Sequence, residues 1–123
     1  MSGENSRRAL VVDDSLTVRI YHSSLLRNFG YEVDTAENGL EALEMAMKKR
    51  YDLILSDINM PVMDGFEFVR KLRKLEDYRY TPVVFITTLN SEEDRRRAIL
   101  SGGTLYIVKP INLQALEKIL RSL

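Results

Sequence analysis

At 123 residues and 45% hydrophobic content, the chain has the size of one ordinary globular domain and can bury a core without disulfide or metal staples. Its 18 basic residues balance 18 acidic ones, so no global field favours nucleic acid, and the absence of cysteine excludes disulfides, thiolate catalysis and sulfur-ligated metals. Neither a long apolar span nor a signal-peptide pattern follows the polar opening Met1-Ser2-Gly3-Glu4-Asn5-Ser6-Arg7-Arg8, which predicts a cytosolic protein with no membrane segment.

Residues 1–8 read as a flexible solvated tail and residues 9–123 as the folded domain. A first strand runs from about Ala9 to Val12. Asp14 or Ser15 can cap a helix on which Val18, Tyr21, Leu25 and Phe29 recur at helical spacing, and Gly30 is placed to end it. Glu32 to Thr35 is a short strand. Asn38-Gly39 then precedes a second helix with Leu40, Leu43, Ala46 and Met47 on one face, and Lys48-Lys49-Arg50 falls where cations complement its negative end. Leu53 to Ser56 is the third strand. Asp64-Gly65 starts the third helix, with an apolar stripe of Phe66, Val69, Leu72 and Leu75 and with Arg70, Lys71, Arg73 and Lys74 as solvated surface. Pro82 introduces strand four, Val83 to Ile86, and Ser91-Glu92-Glu93-Asp94 is a cap with acids in the first turn of helix four. Gly102-Gly103 ends that helix. Leu105 to Val108 forms strand five, Lys109-Pro110 a tight turn, and Asn112 caps a last helix with Leu113, Leu116 and Leu120 inward. Five βα units with no internal repeat predict an α/β domain on a parallel sheet.

Strands that read as continuous apolar runs are buried on both faces, and parallel sheets place their chemistry outside the carboxyl ends of the strands. Asp13 and Asp14 end the first run and Asp57 ends the third, so three carboxylates should meet at one edge. Such anions repel unless a hard divalent cation such as Mg²⁺ sits among them, and Mg²⁺ takes one or two carboxylates plus phosphate oxygens and water. A metal and a phosphoryl group are therefore expected there. Asp64 before Gly65 reads as a helix cap instead. His22, the only histidine, lies inside the first helix and is expected at a surface or half-buried position.

Asp13-Asp14, Asp57, Thr87 at the end of Pro82-Val83-Val84-Phe85-Ile86-Thr87, and Lys109-Pro110 after Tyr106-Ile107-Val108 resemble, in order and spacing, the receiver domain of two-component response regulators. Within that family the single-domain chemotaxis type is the most similar, and the likeness runs from about Arg8 to the C-terminus. The resemblance implies a flavodoxin-like doubly wound fold, a five-stranded parallel sheet in the order 2-1-3-4-5 with five helices. It implies that Asp57 is the phosphoacceptor, forming an acyl phosphate. It further implies that Asp14 and Asp57 give carboxylate oxygens to Mg²⁺, Asn59 its backbone carbonyl and Asp13 a water-bridged contact. Lys109, aimed inward by a cis Lys-Pro bond, would bind a phosphoryl oxygen. Thr87 would hydrogen-bond the phosphoryl group, chosen over the equally suitable Thr88 only by the register of the resemblance. Tyr106 matches the switch aromatic that turns inward when Thr87 is drawn toward the phosphoryl group.

The function so implied is Mg²⁺-dependent transfer of a phosphoryl group to Asp57 from a histidine kinase or phosphotransfer protein. The signal would reach a downstream protein at the face made by helix four, strand five and helix five. On helix four the run Arg95, Arg96 and Arg97 reads by default as a solvated face, and its exposed members could meet an acidic segment. The chain would act as a monomer, without direct contact to nucleic acid or membrane, and with no enzymatic activity beyond its own phosphorylation and autodephosphorylation. Three positions depart from the commonest family pattern: Thr88, Gly103 and Leu105 stand where a smaller residue, an alanine, and an acid or glycine are frequent. An aspartate-nucleophile phosphatase of the haloacid-dehalogenase kind fits less well, because it needs its nucleophile after the first strand and a second aspartate two residues on, where this chain has Asn59. A flavodoxin-like cofactor carrier lacks support too, since no Ser/Thr-rich phosphate loop follows the first strand. Met1 with a short polar tail and an end at the last helix favours a stand-alone protein, although the edge of an excised receiver would look the same.

Overall fold

Apolar runs that end in acidic or hydroxyl residues become the central strands of a parallel sheet. In a computed structural model, which describes residues 7–123, these are β1 (Arg7–Val12), β3 (Leu53–Ser56) and β4 (Val83–Thr87), flanked by the edge strands β2 (Tyr31–Ala36) and β5 (Leu105–Val108). The order is β2-β1-β3-β4-β5 and every pairing is parallel, as the resemblance implied. Helices α1 (Leu16–Asn28), α2 (Gly39–Lys48), α3 (Gly65–Leu72) and α4 (Glu92–Ser101) make the four crossovers, α5 (Leu113–Ser122) follows the last strand, and a short 3-10 turn, Glu76–Tyr78, precedes β4. Among the described residues no helix is long and apolar enough to cross a membrane.

Successive strand residues point to opposite faces, which divides the core in two. Leu10, Val12, Ile54 and Phe85 pack with Phe66, Val69 and Leu72 of α3 and with Ala42 and Ala46 of α2. Ala9, Val11, Leu55 and Ile86 pack with Leu26 of α1 and with Leu116 and Ile119 of α5. Each fully buried aliphatic side chain contributes about 1.5–3 kcal/mol relative to exposure. The pairing also sets the functional edge. Val12 is in register with Ser56, so Asp13 and Asp57 leave the sheet side by side, and the Asp57 amide donates to the Val12 carbonyl at 2.8 Å. Thr87 is in register with Val108, and the Lys109 amide donates to the Thr87 carbonyl at 2.8 Å.

Several expectations need correction. β1 begins at Arg7, where Arg7 and Arg8 pair with Tyr31 and Glu32, so the last two residues of the expected tail belong to the sheet. Main-chain pairing holds them while their side chains stay exposed, which hydropathy does not register. Residues 1–6 lie outside the described residues. On α1 the buried face is His22, Ser23 and Leu26; Tyr21 of the expected stripe is exposed, its hydroxyl donating to the Ile111 carbonyl at 2.6 Å. Ala42 and Ala46 bury α2, while Leu40 and Met47 face solvent. Ile119 replaces the exposed Leu113 on α5. On α1 and α2 small or polar residues, His22, Ser23, Ala42 and Ala46, permit a closer approach to the sheet than the larger apolar ones would.

Arg73 departs furthest from its reading as surface. It is half-buried at the end of α3, and its guanidinium donates to the Tyr78 and Thr81 carbonyls at 2.6 Å each and to the Gly102 carbonyl at 2.8 and 3.0 Å. One side chain thereby ties α3, the segment before β4 and the C-terminal end of α4, where Gly102 takes the left-handed conformation that ends the helix (φ 109°).

The segment after β3 holds a strained turn. Val62 has φ 71°, the Met63 amide donates back to the Pro61 carbonyl at 2.7 Å, and Val62 is 75% exposed. A β-branched residue gains nothing there by burial and bears the steric cost of a left-handed φ. Val62→Gly is therefore expected to raise stability by about 1 kcal/mol. Chemical denaturation would register this as a higher midpoint with unchanged slope, and a lower midpoint would show that the turn is not strained.

Candidate functional site

At the carboxyl edge of the sheet Asp13 is almost fully buried (2% exposed). Its Oδ1 accepts the Ser15 amide at 2.9 Å, where Ser15 caps α1, and its Oδ2 accepts the Lys109 ammonium at 2.8 Å. Its carbonyl accepts Arg19 Nη1 at 2.6 Å, which secures the turn between β1 and α1. Asp57 accepts the Ile58 amide at Oδ1 (2.7 Å) and Lys109 Nζ at Oδ2 (3.1 Å). Lys109 precedes a cis peptide bond to Pro110, and its ammonium bridges the two carboxylates. Asp14 is exposed, yet one oxygen from each of Asp13, Asp14 and Asp57 lies within 4.8 Å of the others.

Why Asp57 sits so deep follows from the loop behind it. The Gly65 amide returns to the Ile58 carbonyl at 2.8 Å, and a Cβ at Gly65 would stand 2.3 Å from the Asp57 carbonyl oxygen. Only glycine allows α3 to start this close. Asp64 then caps α3, its Oδ1 accepting the Glu67 amide at 2.9 Å, as expected of a cap. Asn59 is exposed at the start of the same loop.

The electrostatics match the crowding. Burial pushes the Asp57 carboxyl above its usual range and the nearby Asp13 charge adds to this, while the Ile58 amide and Lys109 act in the opposite sense. For Lys109, burial disfavours the ammonium, but the hydrogen bond to Asp13 and the charges of Asp57 and Asp13 outweigh it and hold the group above its ordinary value. The cluster is an anionic pocket with one cation inside it. Three oxygen ligands of this kind suit a hard divalent ion better than a soft one.

Thr87, at the end of β4, is buried, and its Oγ1 accepts the Leu89 amide at 3.2 Å, whereas Thr88 is exposed. Tyr106 is half-buried; its hydroxyl donates to the Leu89 carbonyl, and the Arg95 guanidinium carbon stands 4.9 Å from its ring centroid. Burial raises the Tyr106 hydroxyl pKa. Asp13, Asp14, Asp57 and Lys109 are thus brought together directly, while Thr87 and Tyr106 meet through Leu89. Leu89 carried no sequence signal because only its main chain takes part. His22 is buried rather than at the surface or half-buried position expected, and burial chiefly lowers its pKa, with the Asp13 charge opposing.

Comparison with known proteins gives a consistent result. The family model described as "Response regulator receiver domain" matches residues 9–121. The response regulator PleD of Caulobacter vibrioides is 43% identical over 119 residues, 96% of this chain and 26% of PleD. The chain likewise spans 13% and 54% of the lengths of two other curated relatives. Among solved structures, chemotaxis protein CheY4 of Vibrio cholerae superposes with a TM-score of 0.90 at 44% identity, covering 95% of this chain and 98% of that one. The receiver domain of the sensor histidine kinase PA1611 of Pseudomonas aeruginosa, solved with a magnesium ion coordinated in its active-site cleft, gives 0.87 at 31% identity over 95% and 96% of the two chains.

Proposed function

Because the chain belongs to the response regulator receiver domain family, we propose that Asp57 is its phosphoacceptor, taking a phosphoryl group from a histidine kinase or phosphotransfer protein in a two-component relay. The observation that carries this reading is the Asp57 carboxylate itself, 3.1 Å from the Lys109 ammonium and clustered with Asp13 and Asp14 at the open edge of the sheet. A carboxylate oxygen of Asp57 attacks phosphorus. The new O–P bond forms as the P–N bond to the donor imidazole breaks, and the imidazole leaves with the electron pair. Lys109, already between the carboxylates, holds a phosphoryl oxygen as a point charge, and the Thr87 hydroxyl offers a hydrogen bond to another. The acyl phosphate returns to carboxylate by hydrolysis, so the chain acts on no molecule but itself.

The all-oxygen donor set suits Mg²⁺, with Asp14 and Asp57 as carboxylate ligands, the Asn59 carbonyl as a third and Asp13 reached through water. Bound there, the ion would neutralise charge on the phosphoryl oxygens. The output is a rearrangement of α4, β5 and α5 through Thr87 and Tyr106, read by a downstream protein.

Incubating the chain with Mg²⁺ and a small donor such as acetyl phosphate, then locating the phosphate by mass spectrometry, tests the assignment. A single phosphate on Asp57, acid- and base-labile and absent from Asp57→Asn, is expected. Retention of that labile phosphate by Asp57→Asn would overturn it.

A further inference from the structure

α4 is held in an unusual way. Its only buried residues are Ala98 and Ser101, so hydrophobic burial does little to fix its position. Besides the Arg73 hydrogen bonds at its C-terminal end, two of its own guanidinium groups stand over aromatic rings of neighbouring elements. Arg97 stands 4.4 Å from the centroid of Phe66 in α3, and Arg95, two residues earlier and so turned to the other side of the helix, stands 4.9 Å from that of Tyr106 in β5.

The Arg95 contact belongs to a closed circuit. Arg95 Nη2 also donates to Asn90 Oδ1 at 3.3 Å; Asn90 follows Leu89; the Leu89 carbonyl accepts the Tyr106 hydroxyl; and the Tyr106 ring lies against Arg95. The Leu89 amide closes the link to the site by donating to Thr87 Oγ1. Drawing the Thr87 hydroxyl toward a phosphoryl group would release Leu89, but Tyr106 cannot leave its place without giving up the Arg95 contact.

We propose that Arg95 is a positioning residue that holds Tyr106 and the segment between β4 and α4 in their resting arrangement, and thereby sets how readily the switch responds. This rests on the reading above that Thr87 and Tyr106 carry the switch. A contact made only in one of two arrangements shifts their balance by its own free energy, and the apparent affinity of a ligand that selects the other arrangement changes by the same factor. For an arginine over a ring that solvent still reaches that factor is roughly two- to five-fold.

The test is an NMR titration of the full chain with beryllofluoride, a phosphoryl mimic, in the presence of Mg²⁺. Arg95→Gln is expected to tighten apparent binding roughly two- to five-fold and to move the ligand-free Leu89 and Tyr106 amide signals toward their bound positions. Arg95→Lys, which keeps a cation over the ring, is expected to restore wild-type behaviour. Arg96→Gln serves as control, since Arg96 pairs on the surface with Glu93 at 2.8 Å, and is expected to change neither readout. Arg95→Gln behaving like Arg96→Gln, in a chain whose wild type responds at Leu89 and Tyr106, would overturn the role of Arg95 alone. A wild type that binds beryllofluoride with no response at those two residues would overturn the switch reading and this inference with it.

Discussion

Lys109→Ala is expected to destabilise the fold by about 3 kcal/mol at neutral pH in metal-free buffer, the scale of removing one partner from a buried ion pair. Lys109 is the cation between Asp13 and Asp57, whose side chains are 2% and 11% exposed; without it both face each other uncompensated. The pH dependence has a definite sign. Folding raises the Lys109 pKa, so its stabilisation is complete below the ordinary lysine range and fades only as alkaline pH passes the raised value. The Asp57 carboxyl is also raised, so the charge it brings costs stability as pH rises through its folded pKa and costs nothing once it is protonated. The deficit of Lys109→Ala should therefore shrink as pH falls into the carboxylate range, and it should shrink at neutral pH when Mg²⁺ is added. Denaturation midpoints measured across pH, with and without Mg²⁺, decide this. A deficit insensitive to both would mean that Lys109 acts through packing rather than charge.

Arg73→Ala is expected to cost about 2–4 kcal/mol for a different reason. Its guanidinium serves the carbonyls of Tyr78, Thr81 and Gly102, and truncation leaves these without the donor that joins them. Thr81 immediately precedes Pro82, which offers no amide of its own, and Gly102 lies at the left-handed end of α4. Arg73→Lys should recover only part of the loss, because one ammonium cannot reproduce a planar fork directed at three oxygens. A full rescue by lysine, or a loss below about 0.5 kcal/mol, would show the contacts to be incidental.

These two residues illustrate what was legible in the sequence. Lys109 ends a strand, and strand ends show themselves as apolar runs stopped by a charge. For that reason β3 and β5 are expected with their observed bounds, and Asp13, Asp14, Asp57 and Lys109 are expected at one edge of the sheet. The strand order and the preference for Thr87 over Thr88 came from family resemblance, since composition does not separate two adjacent hydroxyls. Arg73 was read as surface because its partners are main-chain carbonyls, one of them 29 residues away, and periodicity carries no trace of them. The buried faces of α1 and α2 were missed for a related reason. Apolar spacing favours large residues, whereas His22, Ser23, Ala42 and Ala46 are the ones that approach the sheet. Leu89 takes part through its amide and carbonyl, which every residue type except proline possesses.

A phosphoryl group at Asp57 is expected to be felt at α4, β5 and α5. Amide NMR spectra of the full chain with Mg²⁺, recorded before and after addition of beryllofluoride, test it most directly. Large shifts running from about Leu89 to Val108, beyond those near Asp57, are the expected result. Shifts confined to the loop from Asp57 to Gly65, with Leu89 and Tyr106 unmoved, would contradict it: the chain would then bind a phosphoryl group without passing the signal on.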